Sequence, residues 1–138
     1  MLAQARANMP RTPPSCLTED IELTVRDGTV IQARVYKPKT VPDDGCPGFM
    51  IYHGGGFCVG DKEFEAWLCD LITTLGGIAI DVQYRLAPEY PFPIPIYDSF
   101  DSLKWVWIPP HSCSSVVNIC PRLHSIIRSL VSILRRVS

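Results

Sequence analysis

Three consecutive glycines, Gly54, Gly55 and Gly56, stand between an apolar run and a helical pattern, and this restricts the fold more than any other feature of the chain. Before them, Phe49, Met50, Ile51 and Tyr52 make an apolar run with the length of a buried strand. After them, Phe64, Trp67, Leu68, Leu71, Ile72 and Leu75 recur with a period of about 3.6, which predicts a helix over residues 64–75. Gly76 and Gly77 stop that helix, and Ile78, Ala79, Ile80 and Val82 predict a second buried strand. Residues 84–95 form a proline-rich loop, and residues 96–106 have the apolar spacing of a second helix. Strand, glycine loop, helix, strand, loop, helix is the order of a βαβ unit, which demands parallel strands and a right-handed crossover.

Upstream, residues 21–25 and 30–36 alternate apolar and polar around Arg26, Asp27, Gly28 and Thr29, a hairpin signal of the Asp-Gly kind. Residues 37–47 form a loop of Pro, Asp and Gly. Residues 1–16 hold Pro10, Pro13 and Pro14 without periodicity, which predicts a loose N-terminal arm. The fold class is α/β, with about four strands and two helices in one unit over residues 17–106.

Composition excludes several classes of function. A chain of 138 residues with 46% hydrophobic and 20% charged residues builds a core rather than staying disordered. A net charge of −1 argues against nucleic acid as a partner. No run reaches the roughly 18 apolar residues of a membrane span, and the first residues lack the apolar stretch of a signal peptide. Cys16, Cys46, Cys58, Cys69, Cys113 and Cys120 are scattered without a CxxC pair, which fits free thiols and a cytoplasmic location.

Charge is unevenly placed. All 14 acidic residues lie between Glu19 and Asp101, whereas residues 107–138 carry Arg122, Arg128, Arg135 and Arg136 and no acid. The shift marks a boundary after Val106. Within the tail, Leu123, Ile126, Ile127, Leu130, Val131, Leu134 and Val137 draw an apolar stripe on a basic helix over residues 123–137. Such a helix lies on an anionic membrane surface, docks in a partner's groove, or covers the chain's own core. His111, Cys113, Cys120 and His124 are residue types that bind zinc, but their spacing matches no finger and no metal is expected.

The glycine loop carries the chemistry. Without Cβ atoms, its backbone N–H groups can turn toward one point and leave room for a substrate. Convergent N–H donors are what a developing oxyanion needs. A phosphate cradle uses similar physics, but the chain has neither a Gly-Lys-Ser/Thr continuation nor GxGxxG, so nucleotide binding is the weaker reading. A tight turn without a ligand is the remaining one.

Ile51-Tyr52-His53-Gly54-Gly55-Gly56-Phe57, followed by the segment from Asp81 through Tyr84-Arg85-Leu86-Ala87-Pro88-Glu89 to Pro93, resembles the α/β-hydrolase fold-3 family. These are hormone-sensitive-lipase-like carboxylesterases, esterases and lipases that include arylacetamide deacetylase relatives. The resemblance covers residues 17–106, and residues 98–105 resemble the family's helix before the catalytic strand. It implies the N-terminal part of an α/β-hydrolase fold, an ester substrate and no cofactor. It also implies that the N–H groups of Gly54 and Gly55 form the oxyanion hole, with Gly56 allowing close packing. His53 then braces the loop through its imidazole and is not the catalytic base. Tyr84, Arg85 and Glu89 read as structural, since a polar loop bent by Pro88, Pro91, Pro93 and Pro95 needs side chains to satisfy its backbone.

An esterase of this family also uses a Ser in a G-x-S-x-G elbow, an acid and a His. This chain has no such elbow, its glycines end at Gly77, no acid follows Asp101, and neither His111 nor His124 sits in a matching context. The resemblance therefore implies a serine-esterase type of hydrolase, while this polypeptide, lacking nucleophile, acid and base, is expected to be a truncated, inactive fragment. Residues 107–138 are then a tail outside the family, as from a read-through intron, a frameshift or a truncated gene model. The alternative is a non-catalytic product whose helix at 123–137 binds a membrane surface or a partner.

Overall fold

The structure, a computed structural model, describes residues 16–41 and 45–107. The expected arm up to residue 15, the helix at 123–137, and His111, Cys113, Cys120 and His124 lie outside the described residues. Six elements follow in chain order: β1 (Cys16–Thr24), β2 (Val30–Pro38), β3 (Gly48–Tyr52), α1 (Ala66–Thr74), β4 (Ile78–Gln83) and α2 (Ile94–Trp107). The strands form one sheet in the order β1-β2-β4-β3. β1 and β2 pair antiparallel, as do β2 and β4, whereas β3 and β4 run parallel, as the βαβ pattern requires.

Local chemistry explains the element boundaries. The hairpin closes at the pair Thr24↔Val30, with Gly28 at φ +82° and the Asp27 carboxylate accepting from the Thr29 N–H at 2.9 Å. β1 starts at Cys16, earlier than its alternation indicates, because the ladder continues to Cys16↔Pro38 while residues 17–20 stay exposed. Backbone pairing holds that stretch together with exposed ion pairs, Lys37 with Glu19 at 2.8 Å and Arg34 with Asp20 at 2.7 Å, rather than apolar burial. α1 starts at Ala66 rather than residue 64, because Asp61 Oδ1 accepts from the Glu63 N–H at 3.0 Å and the Asp61 carbonyl accepts from Phe64 at 3.0 Å. These turn bonds compete with the first helical turn. Gly76, at φ +85°, ends α1, and the Gly77 N–H returns to the Ile72 carbonyl at 2.9 Å. α2 starts at Ile94, earlier than expected, because Pro95 in a first turn lacks only an N–H that has no helical partner there.

Alternation along the strands builds a core on each face. Leu23, Ile31, Ala33, Val35, Ile78, Ile80 and Val82 pack with Trp105 and Val106 of α2, and each large aliphatic side chain buried there contributes about 1.5–3 kcal/mol. On the other face Tyr36 and Ala79 pack with Leu68, Cys69 and Ile72 of α1. Among the described residues β3 has a neighbour on one side only, and Phe49 on it is 45% exposed. An apolar edge of this kind is a template for pairing with another chain. The protein is therefore expected to scatter light and bind hydrophobic dye as its concentration rises. Phe49→Lys should suppress both without lowering the melting midpoint. A monomer that binds no dye at high concentration would contradict this.

Candidate functional site

Because β3 and β4 are parallel, with Tyr52 opposite Val82, His53 and Tyr84 leave the sheet side by side. The carboxyl ends of parallel strands are where open α/β sheets gather ligands. The His53 and Tyr84 rings stack with centroids 4.3 Å apart, and the Tyr84 hydroxyl donates to the His53 carbonyl at 2.5 Å. His53 Nδ1 lies 2.9 Å from the Gly54 carbonyl, which only accepts, so Nδ1 carries the proton, and Nε2 is buried with no hydrogen-bond partner among the described residues. His53 is thereby fixed from two sides and turned away from solvent.

The glycine loop closes on itself. The N–H groups of Cys58 and Val59 return to the Gly55 carbonyl at 3.1 and 3.3 Å. Gly55 has φ +126°, and a Cβ there would lie 1.9 Å from the Val59 carbonyl oxygen. Its glycine is needed for the turn itself, not for room in front of it. Gly54 and Gly56 differ: a Cβ on either meets nothing within 4 Å. Among the described residues no backbone carbonyl accepts from the N–H of Gly54, Gly55 or Gly56. Gly60, which the sequence reading passed over, has φ +124°, and its Cβ would lie 2.1 Å from His53 Nδ1. The pattern of a fourth glycine four residues after the triplet was the available signal.

The second motif supports the first. The Ala87 N–H donates to the Phe57 carbonyl at 2.8 Å, and the Phe57 ring meets Tyr84 edge-on at 6.2 Å. Arg85 makes a two-pronged pair with Asp98 on α2, at 2.8 and 2.7 Å, and a further bridge to Asp27 at 2.8 Å. The hydrogen bond from Arg85 helps hold the Asp27 carboxyl at about 2, after that from the Thr29 backbone. Nearby, Arg26 grips Asp101 at 2.8 and 3.0 Å and, with Lys104, keeps its carboxyl well below the usual range. Glu89 is exposed. The structure thus gathers His53, Gly54, Gly55 and Gly56 in one loop and sets Tyr84 and Arg85 behind it. Asp98, the partner that completes this support, was legible only as an acid on the buried side of a helix. Among the described residues no group of three or more His, Cys, Asp or Glu is arranged to hold a metal, and no helix is long and apolar enough to cross a membrane.

Residues 49–116 match the alpha/beta hydrolase fold family, so the match runs past Val106. An AB hydrolase superfamily protein of Schizosaccharomyces pombe is 38% identical over 68% of this chain and 28% of its own length. Arylacetamide deacetylase of Oryctolagus cuniculus is 38% identical over 64% of this chain and 23% of its own. The solved structure of EstE1, a thermostable carboxylesterase cloned from a metagenomic library, superposes with a TM-score of 0.66 at 36% identity, over 77% of this chain and 35% of that one. The chain therefore spans about a quarter to a third of the length of these relatives. With the four-strand mixed sheet, the glycine loop at its carboxyl edge and carboxylesterases among its relatives, the chain belongs to the α/β-hydrolase fold family, of which it carries the N-terminal part.

Proposed function

We propose that this chain carries the oxyanion-binding part of a carboxylic-ester hydrolase of the serine type, with the N–H groups of Gly54 and Gly55 as donors. Attack on an ester carbonyl puts negative charge on its oxygen, and donors fixed in advance lower the cost of that charge. The observation that carries the reading is the loop at the ends of β3 and β4, where, among the described residues, the N–H groups of residues 54–56 are left unused by backbone carbonyls and nothing fills the space before Gly54 and Gly56. His53 braces the loop, and Gly56 lets it turn at φ +62°. The reaction needs no cofactor. Among the described residues Cys16, Cys58 and Cys69 are free thiols, which supports a reducing, cytoplasmic setting.

In this reading the 138-residue polypeptide does not itself turn over esters, because no G-x-S-x-G supplies the nucleophile. Purified chain is expected to release p-nitrophenol from p-nitrophenyl acetate only at the rate of its accessible thiols, exposed Cys58 among them, and alkylation should abolish that release. It should take no label from a fluorophosphonate probe. Labelling of a serine, or turnover that survives alkylation, would overturn the inactive-fragment reading and identify a nucleophile within this chain.

A further inference from the structure

Asp81, in β4, is fully buried, and among the described residues neither carboxylate oxygen has a hydrogen-bond partner. Strand alternation puts it on the α1 face with Tyr36, whose buried hydroxyl is also unpartnered. Its cross-strand partners are Ile51 on β3, which is apolar, and Arg34 on β2. Side chains paired in this way have Cβ atoms about 4.5–5.5 Å apart. Arg34 nevertheless gives its guanidinium to Asp20, at 2.7 and 2.9 Å, and to Glu63 at 3.0 Å. Lys62, the other nearby cation, gives its ammonium to Asp20 and Gln32, each at 3.1 Å.

Among the described residues, the remaining titratable groups around Asp81 bring no cation. They are Tyr36 on β2, Cys69 on α1, Glu65 just before α1, Asp61 in the loop and Tyr84 after β4. An ionised carboxylate without donors is not sustained in such a place, whereas a neutral acid is. Burial first, then the Glu65 and Asp61 charges, push the Asp81 carboxyl up to about 8.

We propose that Asp81 is a proton-operated latch on the glycine loop. Protonated, it leaves Arg34 and Lys62 clamped to Asp20 and Glu63. When the proton passes to solvent, the buried carboxylate draws these cations inward and frees residues 61–63 from the sheet. The movement reaches the catalytic-type loop directly. Residues 61–63 follow Gly60, which packs against the His53 ring, and the Lys62 N–H is itself bonded to Gln83 at 2.8 Å. The latch stands on the sheet and its ion pairs, independently of the hydrolase reading.

The sign is fixed by linkage. The folded protein holds the Asp81 proton more tightly than the unfolded chain, so this group's contribution to stability is full below about pH 4 and is lost as pH rises toward about 8. Asp20 behaves oppositely. The Arg34 hydrogen bond holds it well below the carboxylate range, so it stays ionised throughout and adds no step in that window.

Hydrogen–deuterium exchange followed by mass spectrometry tests the latch on the full chain at low concentration. After correction for intrinsic rates, protection of a peptide spanning residues 53–63 is expected to fall at least tenfold as pH rises, with a midpoint near 8. Asp81→Asn should abolish the step. Asp20→Asn should lower its midpoint by about one pH unit, because it frees Arg34 and Lys62 to stabilise the ionised Asp81. Asp20 is half exposed, so that variant decides the matter even if Asp81→Asn fails to fold. Constant protection across the range, or a midpoint that Asp20→Asn leaves in place, would overturn the proposal.

Discussion

Replacing Arg85 by Met is expected to destabilise the fold by about 3–5 kcal/mol, the usual cost of stranding one member of a buried ion pair. The Asp98 side chain is 1% exposed, and the Arg85 side chain 13%. Without the guanidinium, the Asp98 carboxylate keeps only the Arg85 backbone N–H, at 3.1 Å, and Asp27 loses its bridge across the hairpin. Small domains have about 5–15 kcal/mol in total, so the loss takes a large share of the stability and shows plainly in urea titration. The double variant Arg85→Met with Asp98→Leu should recover part of it, since removing both charges leaves no buried carboxylate to compensate. Simple additivity of the two single losses would show that the groups act separately, and would remove Arg85–Asp98 as the clamp between the second motif and α2.

That clamp shows what can be read from such a chain. Periodicity located β3, α1, β4 and α2, because apolar spacing reports which side of an element is buried. Gly76 and Gly77 ended α1 where a left-handed residue was needed, and the parallel pairing of β3 with β4 followed from the helix between them. The misplaced boundaries are those decided by interactions without periodicity, as in the Asp61 turn before α1 and the exposed ladder at the start of β1. The glycine triplet marked the candidate site, but its members differ in ways one-dimensional reading cannot separate. Gly55 faces its own loop and Gly54 faces open space, while Gly60 is confined both by φ +124° and by the His53 ring and Gly54 carbonyl that lie against it. Asp81 reads as one polar residue inside an apolar strand. Its isolation depends on where Arg34 and Lys62 point, which no spacing encodes.

Joining residues 1–107 to the remaining two thirds of a related carboxylesterase is expected to create an esterase in which the glycine loop becomes rate-determining. In that hybrid Gly55→Val should lower kcat about a hundredfold or more, as the loss of one oxyanion donor typically costs about 2.7–4 kcal/mol of transition-state stabilisation. Part of the fall will come from the loop itself, since the new Cβ meets the Val59 carbonyl oxygen at 1.9 Å. Gly54→Ala separates the two causes. Its Cβ meets nothing within 4 Å, so the loop and the melting midpoint should be preserved while the methyl group crowds the incoming carbonyl. The expected signature is a reduced kcat with stability unchanged for Gly54→Ala, against loss of both for Gly55→Val. In the 138-residue chain, hydrolysis of the same activated ester should be equally slow with Gly or Val at position 55, because donors aimed at an oxyanion do nothing until a nucleophile creates one beside them. A hybrid whose kcat ignored both substitutions would place the oxyanion elsewhere and leave the glycine loop as a turn.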